Sequence, residues 1–245
     1  STLLLLADRG EVKADVAIFA DTQREPSAVY AWLKWLQRTV TKLPIYVVTR
    51  GDLWQAATNV RRTRDGERTY IRTAIPVFTV DGLKRGRGMR ACTRDFKIAM
   101  VQAKTRELLG LTRIKKTSGV LAEMLIGIST DEFIRVKASV KHWIKNRHPL
   151  IDDFDMSRDD CIAWVKKYYG VEPPRSACTF CPFRSDEQWL SLTKKEFKEA
   201  VVMERELQRA YARTTELEST PYFHSSRVPL DQVKFTTGKG RAELN

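Results

Sequence analysis

The stretch "ADVAIFADTQREPSAVYAWLKWLQRTVTKLPIYVVTRG" (residues 14–51) decides the fold class. It opens with a short apolar run, 14–22, which has the pattern of a buried parallel strand. Apolar residues then recur at helical spacing between a capping Ser27 and Val40. A second apolar run, 43–51, is closed by a glycine. The order strand, helix, strand predicts a βαβ unit and therefore a parallel sheet.

The rest of the chain continues this alternation. The segment 120–129 predicts a third strand, 148–153 a short edge strand, and 74–80 a strand within a basic segment. The cations and Trp143 of 141–147 predict one face of an amphipathic helix, with stacking of Trp143 on a base as the alternative. Thr93 is a candidate cap for a helix that ends near Leu109. Three further helix starts carry a capping-box pattern, at Ser157, Ser185 and Thr193.

We therefore expect an α/β fold, a Rossmann-like three-layer sandwich with a parallel sheet. Residues 1–156 would form a nucleotide-binding core with a basic insertion at 61–91. Residues 157–245 would form a helical, cysteine-containing C-terminal part of the same domain. Ligands of such sheets lie beyond the carboxyl ends of the strands.

The charge balance points to a polyanionic partner. The 245 residues include 43 Lys and Arg against 30 Asp and Glu, a net charge of +13. The alternative is a generally basic protein with no such partner. Cations concentrate in 61–72 and 84–94, and seven of them are expected to contact the phosphates of a nucleic acid: Arg61, Arg62, Arg64, Lys84, Arg85, Arg87 and Arg90.

Nothing in the sequence suggests a membrane partner. The longest purely apolar opening, 3–6, is far shorter than the ~18 residues of a membrane span. We see no basic-then-apolar leader with a cleavage site. The expected location is the cytoplasm.

The four cysteines raise the question of a metal. Cys178 and Cys181 form a C-x-x-C in "SACTFCPFR" (176–184), and Cys92 and Cys161 stand apart. Three interpretations remain open: a four-cysteine iron–sulfur or zinc centre, a redox pair, and buried thiols. The three histidines show no ligand spacing.

Two strand ends carry polar side chains. Asp21 follows the first predicted strand, where it would orient a nucleotide or Mg²⁺, or else cap the following turn. The segment 127–135, "GISTDEFIR", places Ser129 at a helix start, which is an expected anion site, with Arg135 two turns along. The alternative for this segment is an ordinary capping box from Ser129 to Glu132.

Several stretches occur together in an order that resembles a known family. They are "AIFADTQREP", "RACTRDFKI", "LIGISTDEFIR", "MSRDDCIAWV" and "PRSACTFCPFRSDEQW". The chain resembles the phosphoadenosine-phosphosulfate-reductase-like branch of the PP-loop, or adenine nucleotide α-hydrolase, superfamily, with phage and prophage members especially similar. The resemblance implies a Rossmann-like sheet that binds ATP or a related adenylyl nucleotide.

The family's motifs carry over residue by residue. Its phosphate loop has the form S-G-G-x-x-S-T, and the printed sequence begins at the last two positions. Its G-I-R-x-x-E-S-x-x-R segment matches 127–135, with Ser129 and Phe133 in place of an arginine and a serine. The implied nucleotide-binding residues are Ser1, Thr2, Asp21, Thr22, Gly127, Ser129 and Glu132.

Iron–sulfur-bearing relatives, including DNA-phosphorothioation sulfurtransferases and some tRNA-thiolating enzymes, modify nucleic acids. The resemblance implies adenylation of a DNA or tRNA substrate by ATP with Mg²⁺, and then sulfur transfer. A cysteine desulfurase is the candidate sulfur donor. The implied catalytic residues are Asp21, Arg94, Lys97 and Arg135. The implied [4Fe–4S] ligands, with zinc as the alternative metal, are Cys92, Cys161, Cys178 and Cys181.

Two other functions remain open. One is a sulfonucleotide reductase or a small-molecule ATP pyrophosphatase. True reductases use a cysteine in a C-terminal tail, and this sequence has none after Cys181, so we expect no reduction by that route. The other is a non-catalytic nucleic-acid-binding protein with a structural zinc.

Overall fold

The computed structural model describes residues 1–111, 118–215, 217 and 219–236. The chain has a mixed α/β structure. The helices are α1 (Thr2–Arg9), α2 (Ser27–Thr39), α3 (Leu53–Thr58), α4 (Ala99–Leu108), α5 (Pro149–Asp152), α6 (Arg158–Tyr169), α7 (Asp186–Leu190) and α8 (Lys194–Tyr211). The last nine residues of the predicted C-terminal part lie outside the described residues.

The strands are short. They are β1 (Ala17–Asp21), β2 (Ile45–Thr49), β3 (Val60–Arg62), β4 (Thr69–Ile71), β5 (Phe78–Asp81), β6 (Lys84–Arg87), β7 (Ala122–Leu125), β8 (Ile144–Arg147) and β9 (Thr220–Tyr222). Strands β1 and β2 pair with each other, and α2 connects them along the chain. The predicted strand–helix–strand order of 14–51 is therefore confirmed.

The chain folds into two compact units and passes back and forth between them. The first unit comprises Ser1–Phe19, Ser27–Val48 and Val101–Arg175. The second unit comprises Ala20–Pro26, Thr49–Met100 and Ser176–Asn245.

The first unit is built around α1. Its run of leucines serves two hydrophobic clusters, because neighbouring helical residues point in different directions. Leu6 packs with Leu150 and Cys161, whereas Leu5 packs with Leu36 and Val165. Strands β7 and β8 pair in parallel, from Ala122 opposite Ile144 to Leu125 opposite Arg147.

Two local predictions in the first unit were wrong. Residues 141–147, predicted as a helix face, contain β8, and residues 148–153, predicted as an edge strand, contain α5. Trp143 and Ile144 are buried, and pairing with β7 makes a strand of the residues from Ile144 onward. Pro149 then begins α5, since a proline at the first helical position needs no hydrogen-bond acceptor for its nitrogen.

The helix starts predicted from capping boxes are confirmed. Ser157, Ser185 and Thr193 each accept a backbone N–H from the residue three positions on, whose side chain in turn accepts the N–H of the cap. The Thr93 cap was wrong. Ala91 and Cys92 already lie in the helix, which passes through a π-helical turn, Thr93–Ile98, before α4.

The second unit has an aromatic core. The ring centroids of Trp54 and Phe180 lie 5.3 Å apart, and those of Phe180 and Phe223 lie 5.7 Å apart. Glu204 on α8 is 1% exposed, and its two carboxylate oxygens accept the backbone N–H groups of Phe223 (2.7 Å) and Leu230 (2.6 Å). A buried carboxylate thus holds the segment after α8 against that helix.

The basic insertion forms two antiparallel hairpins. Strand β3 pairs with β4, and β5 pairs with β6 on one side and with β9 on the other. The sequence predicted only one strand in this region, at 74–80. Among the described residues, no helix has both the length and the apolar character needed to cross a membrane.

Candidate cysteine centre

The C-x-x-C forms a tight turn in the second unit. The N–H of Cys181 donates to the carbonyl of Cys178 at 3.0 Å. The guanidinium of Arg184, which is 8% exposed, donates to the carbonyls of Ala177 (2.7 Å), Cys178 (3.1 Å) and Gln188 (3.2 Å). A buried arginine therefore fixes the backbone that presents the two thiols.

A lysine–glutamate pair lies beside this turn. Lys97 belongs to the π-helical turn that follows Cys92, a type of turn that is frequent at functional sites. Its Nζ lies 3.1 Å from Oε1 of Glu25, whose side chain is fully buried. The hydroxyl of Ser176 donates to the other oxygen of Glu25 at 3.1 Å. Glu25 therefore links the loop after β1 to both Lys97 and the C-x-x-C segment.

The same loop contacts the C-x-x-C turn in two further ways. The hydroxyl of Thr22, which is 1% exposed, lies 3.3 Å from Sγ of Cys178. The N–H of Thr179 donates to the carbonyl of Arg24 at 2.8 Å. These contacts, together with those that the two carboxylate oxygens of Glu25 make, place the loop directly against Cys178.

Three thiols of the second unit interact electrostatically. We call Cys92, Cys178 and Cys181 the cysteine centre. Burial and, after it, the Glu25 carboxylate raise the pKa of Cys178 to about 12, although the charge of Lys97 opposes both. Burial also raises the pKa of Cys92, and Cys181 adds to that rise. The Cys92 and Cys178 thiols therefore stay protonated at neutral pH.

Lys97 remains charged in this setting. Burial alone would lower its pKa, but the charge of the Glu25 carboxylate and the hydrogen bond to it raise that pKa above its ordinary value. A fixed positive charge next to buried thiols favours their thiolate form, which is the form that binds metal or attacks sulfur. The arrangement can thus lower the cost of deprotonating the cysteine centre.

The donor atoms of the cysteine centre suit a soft metal, because thiolates are the preferred ligands of zinc and of iron–sulfur clusters. Their arrangement in this structure is not that of a ligand set. Among the described residues, no group of three or more His, Cys, Asp and Glu side chains is placed to hold a metal ion. A metal would therefore have to draw the thiols together and displace their protons.

Cys161 belongs to the first unit. It is 8% exposed on α6 and packs in the cluster that contains Leu6 and Leu150. Its carbonyl accepts the hydroxyl of Thr2 at 3.2 Å, and burial raises the pKa of its thiol. Its role as a fourth metal ligand stays a prediction.

The residues predicted to bind nucleotide divide between the units. Asp21 and Thr22 lie in the second unit, where Asp21 accepts the N–H of Gln23 at 2.7 Å and caps the turn. The other five lie in the first unit: Ser1, Thr2, Gly127, Ser129 and Glu132. The hydroxyl of Ser1 accepts the indole N–H of Trp32 at 2.8 Å.

The predicted anion site at the end of β7 is partly occupied by the protein itself. The N–H of Thr130 donates to the carbonyl of Met156 at 3.0 Å, and Arg135 forms an ion pair with Glu132. The predicted capping box is absent, since Ser129 makes no side-chain cap bond. In the second unit, Arg94 is largely exposed and pairs with Asp95 at 2.8 Å.

The cations predicted to contact nucleic acid all lie in the second unit and are exposed. Strand β6 is exposed along its whole length. The guanidinium carbons of Arg87 and Arg90 each lie 5.2 Å from the ring centroid of Phe183, two residues after Cys181. This contact connects the basic insertion to the segment of the cysteine centre.

Sequence reasoning missed Glu25, Ser176 and Phe183 as parts of this site. Glu25 carried a weak signal, because it stands in the quoted motif "AIFADTQREP" next to Asp21 and Thr22. Ser176 and Phe183 lie within the C-x-x-C stretch, but their partners are distant in sequence.

Comparisons with protein-family models, with curated proteins and with solved structures found no match for this chain.

Proposed function

We propose that the chain is an adenylating sulfur-transfer enzyme that acts on nucleic acid, with a Rossmann-like three-layer fold of the phosphoadenosine-phosphosulfate-reductase-like type. One observation carries the proposal. Three cysteines, a half-buried lysine paired with a buried glutamate, and two cationic hairpins share one compact unit. Thiols suit sulfur chemistry, and the cations suit a polyanionic substrate.

The neighbours of the cysteine centre would have defined tasks. Lys97 would stabilise a negative charge that develops beside Cys178, since its amino group already acts on that thiol. Glu25 would hold Lys97 in place and keep it charged. Thr22, whose hydroxyl contacts Cys178, would orient the sulfur or donate a hydrogen bond to it.

Cys92, Cys178 and Cys181 would hold a [4Fe–4S] cluster, with Cys161 as the predicted fourth ligand. When bound, such a cluster supplies a site at which sulfur is held or transferred. The cationic residues Arg87 and Arg90 would bring the phosphate backbone of the substrate close to this segment, because both contact Phe183.

The nucleotide-binding residues of the proposal are those that the resemblance implies. Asp21 would orient Mg²⁺, and ATP would be bound by Ser1, Thr2, Gly127, Ser129 and Glu132. Arg94 and Arg135 would have to exchange their present partners, Asp95 and Glu132, for phosphate oxygens. The expected products of the first step are pyrophosphate and an adenylated substrate.

The metal is tested by anaerobic purification followed by metal analysis and absorbance near 400 nm, an approximate region for iron–sulfur charge transfer. We expect a brown protein whose colour is lost in Cys178→Ser. Cys161→Ser is the informative comparison, because it separates a three-cysteine centre from the predicted four-cysteine set. A colourless protein without iron or zinc would contradict the metal part of the proposal.

The reaction is tested by measuring AMP and pyrophosphate release from ATP with and without nucleic acid. We expect duplex DNA or tRNA to stimulate release, and Lys97→Met to reduce it. Arg38→Gln, an exposed arginine on α2 in the first unit, serves as the control. Absence of nucleic-acid-dependent release would end the enzymatic proposal.

A second function is favoured by a specific observation. The hydroxyl of Thr2 and the backbone N–H of Thr130, which follows Ser129 at the expected anion site, are bonded to protein carbonyls. A nucleic-acid-binding protein with a structural zinc would need neither group. One tightly bound zinc, no colour and no AMP release would establish this alternative.

A further inference from the structure

The hairpin of β5 and β6 carries an exposed apolar side chain at its tip, next to two cations. Gly82 occupies the first central position of its two-residue loop with φ +54°, as a type II′ turn requires. Leu83 occupies the second position and is 102% exposed. Lys84 and Arg85 follow it directly. A fully solvated leucine thus projects from the end of a cationic ribbon.

The hairpin is braced so that this tip keeps its place. Strand β9 pairs with β5 over three residue positions. The guanidinium of Arg227 spans the ribbon, donating to the carbonyl of Thr79 on β5 and to that of Gly86 on β6, both at 3.3 Å. The base of the hairpin is closed by Gly88, whose N–H donates to the carbonyl of Val77 at 2.7 Å.

Close packing inside the hairpin also keeps its tip in place. A Cβ at Gly86 would lie 2.7 Å from Oγ1 of Thr79, and a Cβ at Gly88 would lie 2.8 Å from the carbonyl oxygen of Ile75. The two glycines therefore permit the close approach of β6 to its neighbours. Order of this kind lowers the entropy cost of binding, because the arm does not have to be fixed when its ligand arrives.

Edge protection explains only part of this surface. Lysine and arginine on an edge strand prevent pairing with another chain, and β6 is the edge of its three-stranded sheet. That role gives no reason for a leucine exposed at the tip, where an apolar side chain costs solubility. A ligand that covers the tip does give a reason.

We propose that the β5–β6 hairpin binds the minor groove of duplex DNA and inserts Leu83 between two stacked base pairs. Apolar wedges flanked by cations unstack base steps in this way and kink the duplex. A duplex is favoured over a single strand, because a wedge gains its binding surface by opening a stacked step. Arg85 lies on the same strand and contacts a phosphate at the edge of the groove.

The wedge also deepens the proposed function, on which this step rests. Arg87 and Arg90 connect the hairpin to Phe183 and hence to the cysteine centre. Chemistry on a base requires that the base leaves the stack, and an unstacked step lowers that cost. The inserted leucine therefore opens the duplex near the thiols.

The test uses the full chain and a DNA duplex of about 20 base pairs with 2-aminopurine beside a central TA step, which is easily deformed. The wild-type protein should raise the 2-aminopurine fluorescence and bring dyes at the duplex ends closer. Leu83→Ser should abolish both signals and weaken binding roughly tenfold or more, while Leu83→Met restores them. Ile134→Ser is the matched control, because Ile134 is an apolar residue of the first unit that is 91% exposed.

The phosphate contact has a separate readout. Arg85→Gln should lower affinity and reduce the slope of log affinity against log salt by about one, whereas Leu83→Ser leaves that slope unchanged. Arg38→Gln should change neither quantity. Far-UV circular dichroism of each variant checks that the fold is kept.

The outcomes separate the two proposals. The wedge proposal is overturned if Leu83→Ser unstacks the duplex as strongly as the wild-type protein does. It is also overturned if the wild-type protein binds a single strand as tightly as the duplex and does not unstack the duplex. If DNA or tRNA still stimulates AMP release in that case, the proposed function stands. Leu83-dependent unstacking in a protein that releases no AMP supports the wedge and ends the proposed function.

Discussion

The thiol of Cys178 should be unusually slow to alkylate in the metal-free protein. Burial, reinforced by the Glu25 carboxylate, raises its pKa to about 12 from an ordinary 9.0. At neutral pH that difference leaves about 1000-fold less thiolate than an ordinary cysteine would have. Because the thiolate is the nucleophile, the alkylation rate should fall by a similar factor.

Two charge-removing substitutions should move this rate in opposite directions. Glu25→Gln removes a charge that raises the pKa of Cys178, so alkylation should become faster. Lys97→Met removes a charge that lowers the pKa, so alkylation should become slower. Glu25 and Lys97 form one ion pair. If removing either charge only loosened the packing around Cys178, alkylation would become faster in both variants.

The assay is a time course with iodoacetamide, stopped at intervals and read by mass spectrometry. Trypsin releases 176–184 as one peptide, since arginines precede and end it, and fragment ions distinguish Cys178 from Cys181. The rate at Cys178 should rise about tenfold per pH unit without levelling off between about pH 7 and 10. A plateau near pH 9, or acceleration in both variants, would refute the electrostatic reasoning.

Four further predictions concern the stability of the protein and the β5–β6 hairpin. Glu204→Gln should lower the free energy of unfolding, measured by urea titration, by about 2 kcal/mol. An amide oxygen can accept only one of the two backbone N–H groups, so the other is left unpaired. Glu199→Gln, exposed on the same helix, is the control and should change the free energy of unfolding by less than about 0.5 kcal/mol. Burial raises the pKa of Glu204, so its contribution to stability should be full at a pH below the ordinary glutamate pKa and should decline as the pH rises through the folded value. Arg184→Met should leave buried carbonyls unpaired, which costs roughly 1–3 kcal/mol and should appear as faster proteolysis near the C-x-x-C turn; unchanged proteolysis would contradict the role given to the guanidinium. Gly86→Ala should push the new Cβ against Thr79, and DNA affinity should drop with it, whereas an unchanged affinity would show that the hairpin tolerates the shift.

Local sequence patterns predicted the elements that local physics controls. The periodicity of 14–51 predicted β1, α2 and β2, which the structure confirms. The capping boxes at Ser157, Ser185 and Thr193 are confirmed because each bond joins residues three positions apart. Such signals depend only on neighbours along the chain, and tertiary packing did not override them.

Local patterns failed where a distant partner decided the outcome. The stretch 141–147 mixes cations with apolar residues, a pattern that fits a helix face as well as a strand. Pairing with β7 made a strand of Ile144–Arg147, and Trp143, directly before that strand, is buried. The basic insertion likewise became two hairpins, and β9, far along the chain, completes the sheet of one of them.

The candidate site shows the same division. The sequence alone identified the C-x-x-C, the isolated cysteines, the family-like motif around Lys97 and the concentration of cations in the insertion. Only the tertiary structure brought Glu25 to Lys97 and Ser176, placed Thr22 on Cys178, and put Cys161 in the first unit. The physical reason is that burial and charge act through space. The pKa of a thiol depends on what surrounds it after folding, and those neighbours come from segments that no local periodicity connects.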